Sequence, residues 1–301
     1  MPADSTTRAL DGITVVSLAA HLPGPLAARQ LMALGADIVK VEPPDGDPFA
    51  GYHQAWYDAL VAGQQVIRLD LKNPATRPAF NALLAAADVF ITSTRPSSLA
   101  RLGLSWLTLH EQYPRLCQVA IVGSVSPNAD RPGHDLTYQA SAGLTDPPQM
   151  PAMLVADFAG AERAVSATLA LVLARERGAG AGYAEVGLSQ AASDFAEPAR
   201  RGVTLPGAVF GGGVAGYNLY RASDGWIALG ALESNSWSAI IADAGSAGDP
   251  VTTDGVSGTA AATRRALEAY FKGKTAASWE AWAVERGLPI VAVRAPGDRA
   301  G

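Results

Sequence analysis

The chain has 301 residues, of which 49% are hydrophobic and 17% charged, and its formal net charge at pH 7 is -5. This length suits one large α/β domain or two unequal domains, and the composition is that of a globular chain, not a disordered one. The acidic balance argues against nucleic acid as a partner, and no apolar run reaches the roughly 18 residues of a membrane span. A small or acidic ligand would have to meet local cationic groups instead.

The single cysteine, Cys117, excludes an intrachain disulfide and a zinc site built from cysteines, and it fits a reducing compartment. It lies in the apolar run RLCQVAIVG, which reads as a strand. We therefore predict a buried small side chain there and not a reactive thiol. The start of the chain, MPADSTTRALDG, has no secretory apolar region, so we expect a cytoplasmic protein.

Residues 10–42 follow a β-α-β pattern. The run ITVVSLA predicts a strand, Gly24 and Pro25 open a helix, Gly35 is a plausible end of that helix, and DIVKVE predicts the next strand. So short a unit implies parallel strands with a right-handed crossover. The first turn lacks the GxGxxG glycines, which argues against a dinucleotide site of the usual kind.

The alternation of strands and helices continues to about residue 125. Residues 43–64 read as an aromatic-rich loop. The runs VIRLDL, DVFITST and RLCQVAIVGSV predict strands, and Asn73 predicts the cap of the helix between the first two. Together with a later strand, YAEVGL, this pattern predicts a Rossmann-like, doubly wound parallel sheet in a large α/β domain over residues 1–204.

The segment from residue 131 to residue 160 contains the residues best suited to chemistry. His134 stands next to Asp135, and a small-residue run and a short apolar strand ending at Asp157 follow, before a long Ala-rich helix. A histidine and a carboxylate at the ends of neighbouring elements suit proton transfer, if the fold brings them together. The same residues also admit plainer roles, with Asp157 as a helix cap, His134 as an ordinary loop histidine and Asp135 as a partner of the loop backbone. For Asp135 the structural role is the favoured prediction.

From about residue 205 the pattern changes. A Gly-rich stretch over residues 207–216 reads as a flexible loop. The run YNLYRASDGWIALGAL predicts a β-hairpin that turns at Asp224 and Gly225. Three amphipathic helices and a last strand, LPIVAVR, follow. We therefore predict a smaller α+β domain over residues 205–301.

Six motifs in order resemble the class III CoA-transferase (CaiB/BaiF) family, from Leu10 to about Arg294. They are the opening β-α-β unit through VEPPDGDP, RLDLKNP, TRPSSLARLGLSW, DRPGHDLTYQASAGL, VADFAG and LARERGAGAGYAEVGL. The resemblance implies an acyl-CoA substrate, a large domain that binds CoA, and no cofactor beyond the CoA moiety of the substrate. It also implies an interlocked homodimer, in which each chain threads through the ring made by the other.

Within this family the chain looks most similar to the α-methylacyl-CoA racemase branch. That branch has a histidine before the aspartate, here His134, and a glutamate at the end of a strand, matched by Glu233 in LGALE. By this resemblance His134 and Asp157 would be proton carriers on opposite faces of the α-carbon, with Glu233 orienting the histidine. The phosphates and adenine of CoA would lie near three cationic residues, Lys72, Arg95 and Arg101. His21 follows the first strand, from where it can line the CoA channel.

These residues predict a racemase of a 2-methylacyl-CoA thioester, acting by α-proton removal and return through an enolate. The first alternative is a CoA-transferase, in which Asp157 attacks the acyl thioester as a nucleophile. The second is a non-catalytic relative that only binds an acyl thioester. Two cationic positions of the family are absent here, in ALVAGQQ and in VEPPDGDP. The chain also ends at Gly301, before the family's usual final segment, so we expect the ring of the dimer to close differently.

Overall fold

The computed structural model describes residues 8–246 and 261–295. It divides into two compact units, Met1–Ala196 and Glu197–Gly301. Residues 197–204, assigned to the large domain from the sequence, belong to the second unit. Thr259 and Ala260, the first residues of the helix predicted from TAAATRRALEAYFKGK, lie outside the described residues.

A six-stranded parallel sheet forms the centre of the first unit, as the sequence predicts. Its strands are β1 (Thr14–Ser17), β2 (Asp37–Glu42), β3 (Gln65–Arg68), β4 (Val89–Thr92), β5 (Cys117–Val122) and β6 (Tyr183–Gly187). Their order is β3-β2-β1-β4-β5-β6, and every neighbouring pair is parallel. The winding direction reverses between β1 and β4, and ligands of such sheets bind in the crevice at this point, beyond the carboxyl ends of the strands.

Helices cover both faces of this sheet. They are α1 (Pro23–Ala33), α2 (Pro48–Tyr52), α3 (Gln54–Val61), α4 (Arg77–Ala86), α5 (Pro96–Arg101), α6 (Trp106–Gln112), α7 (Asp135–Ala142), α8 (Val155–Ala174) and α9 (Leu188–Phe195). Alternate strand residues point to opposite faces, so Val15 and Val89 join one hydrophobic core while Val16 and Phe90 join another. Burial on both faces explains the continuous apolar strands of the sequence, and it makes Cys117 the buried residue that was predicted.

Two local predictions were wrong. The segment 43–64 is not a loop, because α2 and α3 form there. Asp47 caps α2 by accepting from the backbone N–H of Phe49, and the ring of His53 caps α3 by accepting from Trp56. The strand predicted to end at Asp157 is absent, because α8 already begins at Val155. So short an apolar run does not distinguish a strand from a helix start by its periodicity.

The second unit is built on a three-stranded antiparallel sheet. Its strands are β7 (Tyr217–Arg221), β8 (Trp226–Gly230) and β9 (Ile290–Ala292), and its helices are α10 (Glu197–Arg200), α11 (Ser234–Ser246), α12 (Ala261–Phe271) and α13 (Ala276–Arg286). The predicted hairpin is confirmed, and the N–H of Ala222 closes its turn on the carbonyl of Gly225 at 2.9 Å. The core is rich in aromatic side chains, with Tyr220, Phe271 and Trp279 fully buried.

No helix within residues 8–246 and 261–295 is long and apolar enough to cross a membrane.

Candidate active site

A cavity of about 370 Å³ lies beyond the carboxyl ends of the central strands of the large sheet. The segments that follow three strands contribute to its wall, with Ala20 and His21 after β1, Ser93 and Arg95 after β4, and Gly123 after β5. The cavity therefore lies at the switch point of the sheet, where ligands of this fold class bind. His134, Tyr138 and Asp157 also contribute to the polar part of the lining.

Asp157 reaches the cavity from the first turn of α8. Its backbone N–H, one of the free donors at the helix start, donates to Oδ1 of Asp135 at 3.0 Å. One turn further along α8, Gly160 packs closely on Leu188. A Cβ at Gly160 would lie 2.2 Å from Cδ2 of Leu188, so a larger residue there would require the Leu188 side chain to move. The positive end of the α8 dipole lies at the cavity.

The environment of Asp157 favours the protonated acid. Burial raises the pKa of its carboxyl group from 3.8 to about 7, and the nearby Asp135 carboxylate acts in the same direction. Within the part of the chain that the structure describes, no donor bonds the side-chain oxygens of Asp157. The carboxyl group is thus partly buried, accessible from the cavity and free to react, and it changes charge near neutral pH.

Asp135 joins helices α7 and α8, and its backbone partner is the first turn of a helix and not the loop that the sequence indicated. Its Oδ1 accepts the N–H of Asp157, while Oδ2 accepts from the side-chain amide of Gln139. The same amide nitrogen donates to the carbonyl of Met153 at 2.7 Å, just before α8. Because Asp135 and Gln139 are both buried, this network fixes the start of α8 and with it the position of Asp157.

The fold brings His134 to the same cavity as Asp157. His134 is the residue before α7, and its N–H donates to Oγ1 of Thr137 at 3.1 Å. A second imidazole, His21, faces it edge to face with ring centroids 5.9 Å apart. The cavity wall thus brings together two imidazole rings and the carboxyl group of Asp157.

Tyr138 lies in a narrow space between two glycines. A Cβ at Gly123 would lie 2.2 Å from the Tyr138 hydroxyl, and one at Gly133 would lie 2.5 Å from its ring. Burial raises the pKa of Tyr138, the Asp157 carboxylate adds to the rise, and Arg95 opposes it. The hydroxyl is therefore protonated at physiological pH and available as a hydrogen-bond donor at the cavity wall.

Of the three cations predicted to bind CoA, Arg95 lines the cavity. The other two do not belong to the described part of the cavity wall. Arg101 donates to the hydroxyl of Ser98 at 2.8 Å. Lys72 is exposed, and its backbone N–H donates to the side chain of Asp70. Arg131 lines the cavity and was not singled out from the sequence. Its signal was present, because it opens the RPGHD motif that contains His134.

Glu233 belongs to the second unit. It is exposed and precedes α11, where its carbonyl accepts the N–H of Trp237 at 2.9 Å. Glu233 follows the end of β8, Gly230, by three residues and is not itself part of the strand. A role for Glu233 in orienting His134 stays a prediction.

Comparison with known proteins gives consistent matches over most of the chain. A family model described as CoA-transferase family III matches residues 10–300. Probable fatty acyl-CoA transferase Rv3272 of Mycobacterium tuberculosis is 28% identical, covering 79% of this chain and 69% of the relative. Succinyl-CoA--D-citramalate CoA-transferase of Chloroflexus aurantiacus is 27% identical, covering 77% of this chain and 63% of the relative. Human succinyl-CoA:glutarate CoA-transferase is 25% identical, covering 77% and 58%.

The structural comparison agrees. A crystal structure of Rv3272 from Mycobacterium tuberculosis superimposes with a TM-score of 0.83 at 25% identity, covering 96% of this chain and 85% of that one. A CAIB/BAIF family protein from Brucella suis shows the same fold, with a TM-score of 0.79 at 24% identity and coverage of 96% and 85%. The matched part of the chain spans 58–69% of the length of the three curated relatives named above. From the matched range and the shared fold, the chain is a member of CoA-transferase family III.

Proposed function

We propose that this protein is a CoA-transferase that moves CoA from an acyl-CoA thioester to a second carboxylic acid, with Asp157 as the acyl-accepting nucleophile. The proposal is supported by one observation above all. The carboxyl group of Asp157 lines the cavity, and no described residue donates a hydrogen bond to it. The relatives named above are described as CoA-transferases, which favours this reaction over the racemase that the sequence motifs suggested.

The reaction is a series of acyl transfers in which every bond is accounted for. The Asp157 carboxylate adds to the thioester carbonyl, whose π electrons move to oxygen, and collapse expels CoA thiolate and leaves a mixed anhydride. The thiolate then attacks the aspartyl carbonyl, which gives an aspartyl-CoA thioester and releases the first acid. The acceptor carboxylate repeats the two steps in reverse, and Asp157 is regenerated.

The residues around Asp157 suit these steps. A pKa of about 7 leaves a substantial fraction of Asp157 ionised at neutral pH while keeping the carboxylate basic, and hence nucleophilic. The positive end of α8 and the Tyr138 hydroxyl favour negative charge that develops at the cavity wall. Arg95 and Arg131 would bind the anionic groups of CoA or of the acids.

The racemase remains the second candidate because one observation favours it. His134 and Asp157 line the same cavity, and two proton carriers beside one carbon are what racemisation needs. In that reaction one group removes the α-proton, the electron pair moves to the thioester oxygen, and the other group returns a proton on the opposite face. Asp157 would then form no covalent bond to the substrate.

One paired assay separates the candidates. The purified protein is incubated in heavy water with a 2-methylacyl-CoA and a 13C-labelled acceptor acid, and the thioesters are analysed by mass spectrometry. We expect CoA on the labelled acid, abolished by Asp157→Asn. Deuterium at the α-carbon without CoA transfer would replace the transferase by the racemase. Binding of the thioester with neither change, across a panel of acyl groups and acceptors, would indicate the non-catalytic relative.

A further inference from the structure

The cavity wall contains a histidine with an unusual backbone. His21 has a φ of 63°, and it is the only non-glycine residue with a positive φ within residues 8–246 and 261–295. The left-handed conformation is uncommon for side chains other than glycine, although asparagine, aspartate and histidine adopt it more often than most. Such a conformation persists where surrounding contacts impose it, and it is concentrated at functional sites.

The loop from β1 to α1 is held at three successive residues. The carbonyl of Ala19 accepts from Nζ of Lys40 at 3.1 Å, and the N–H of Ala20 donates to Oγ of Ser93 at 2.8 Å. The N–H of His21 donates to Oδ1 of Asp47 at 3.0 Å. Each anchor comes from a different segment of the chain. Together these three hydrogen bonds hold the backbone of the loop at His21.

Two of these anchors form a buried ion pair. Nζ of Lys40 lies 2.7 Å from Oδ2 of Asp47, and the two residues are 1% and 4% exposed. The other oxygen of Asp47 accepts two backbone N–H groups, from His21 and Phe49. A buried ion pair is weak evidence for stability, because apolar residues of similar volume often stabilise a fold as well. Besides capping α2, Asp47 accepts the backbone N–H of His21, so the pair also holds the backbone at that residue.

We propose that His21 is a further catalytic residue, whose imidazole donates a hydrogen bond to the thioester oxygen as negative charge develops there, and that Asp47 and Lys40 are positioning residues for it. The inference deepens the proposed function and rests on an acyl-CoA thioester reacting at Asp157. It is carried by the cavity wall, which contains His21, His134 and Asp157 together, and by the strained loop that presents His21.

The charge state of His21 suits a hydrogen-bond donor that does not give up its proton. Burial lowers the pKa of His21, the Asp47 carboxylate opposes this, and His134 and Lys40 act with burial. The neutral imidazole retains one N–H, which donates to the oxygen when the carbonyl becomes an oxyanion. No proton is transferred, and the bond is released when the tetrahedral adduct collapses.

Replacement of His21 by glycine distinguishes a catalytic role from a structural one. Glycine adopts the left-handed backbone without strain, so His21→Gly preserves the loop and removes only the imidazole. We expect the single-turnover acylation rate to fall about 100-fold, with less than about a threefold change in KM. The midpoint of thermal unfolding should stay within about 3 °C of wild type.

His21→Asn keeps both the backbone preference and an N–H donor, and it should restore part of the rate. His110→Gln, which removes a histidine outside the cavity wall, is the matched control.

The positioning role is tested by a double-mutant cycle. Asp47→Asn retains an oxygen that can accept from His21 but breaks the ion pair with Lys40, so kcat should fall while KM changes little. If Asp47 acts through His21, adding Asp47→Asn to His21→Gly should lower kcat no further. Additive losses would overturn the positioning role.

The outcomes also separate this inference from the proposed function. Both CoA transfer and α-proton exchange place negative charge on the thioester oxygen, so each variant is measured in whichever reaction the wild-type protein catalyses. Wild-type rates in His21→Gly would overturn the role of His21 and leave the proposed function standing. If the wild-type protein catalyses only α-proton exchange and His21→Gly slows it, the role of His21 is supported and the transferase is overturned. A wild-type protein that catalyses neither reaction would overturn both.

Discussion

Two acidic residues of the first unit, the buried Asp47 and the partly buried Asp157, have opposite surroundings. Asp47 has a lysine partner and two backbone donors, so its negative charge is compensated on both oxygens. The Asp157 side chain has no donor among the described residues, and the charged group that shifts its pKa is another carboxylate, Asp135. A compensated carboxylate fixes geometry, here the strained loop of His21. An uncompensated one resists ionisation and is available for chemistry.

The effect of the uncompensated Asp157 on the stability of the fold depends on pH. Folding raises the pKa of Asp157 from 3.8 to about 7, so the folded state binds this proton more tightly than the unfolded state does. The contribution to stability is fully present below pH 3.8, and it is lost as the pH rises through 7. Converted at face value, the shift corresponds to at most about 4 kcal/mol of destabilisation above pH 7, and solvent in the cavity reduces it.

The largest expected effect comes from Asp157→Asn. Loss of the nucleophile should reduce CoA transfer by at least about 1,000-fold, as removal of a nucleophile does in other covalent enzymes. Because the buried charge is also removed, the free energy of unfolding at pH 8 should rise by roughly 1–3 kcal/mol, with a smaller gain at pH 5. Urea unfolding at both values checks this, with the exposed Asp58→Asn as control. A variant destabilised at pH 8 would contradict the assigned environment.

At the compensated site, Lys40→Met should lower the free energy of unfolding, where Asp157→Asn raises it. It leaves the buried Asp47 carboxylate without its partner, and breaking a buried pair typically costs about 3–5 kcal/mol. Removing one partner of the exposed pair of Arg163 and Asp194 is the control, and it should cost less than about 1 kcal/mol. Equal losses for Lys40→Met and Arg163→Ala in urea unfolding would mean that burial of the first pair has no energetic consequence.

A more moderate effect is expected for Asp135→Asn. The Asp135 carboxylate raises the pKa of Asp157, second to burial, so its removal should shift the rising limb of the acylation rate to lower pH. The asparagine oxygen can still accept the N–H of Asp157, which preserves the start of α8. The pH profile of single-turnover acylation measures the shift. An unchanged limb would show that burial alone sets the pKa of Asp157.

The smallest effect separates two arginines that the sequence treats alike. Arg95 lines the cavity and Arg101 does not, so Arg95→Ala should raise KM for acyl-CoA by about tenfold, the loss of one charge-assisted bond. Arg101→Ala should change KM by less than about twofold, as an exposed charge does. Steady-state kinetics at two salt concentrations would show the difference. A larger effect at Arg101 would place the CoA phosphates outside the cavity described here.

The sequence predicts the frame of this site better than its electrostatics. The run DIVKVE coincides with β2, and the parallel sheet follows from the alternation of strands and helices. The pairing of Lys40 with Asp47 was not predicted, because a lysine in an apolar strand has no visible partner until the following loop folds back. The start of α8 was misplaced because MLVA carries too little periodicity to separate a strand from a helix. The sequence predicts His21 only as a residue of the CoA channel, since its φ is set by tertiary contacts and not by its neighbours in sequence.

The central claim, that Asp157 reacts covalently, is tested most directly by trapping. The protein is mixed with one equivalent of acyl-CoA at pH 8, quenched with hydroxylamine, digested and analysed by mass spectrometry. We expect a hydroxamate at Asp157, which arises from the anhydride or the aspartyl-CoA thioester, and none in Asp157→Asn. Consumption of the thioester with Asp157 unmodified would mean that Asp157 is not the nucleophile.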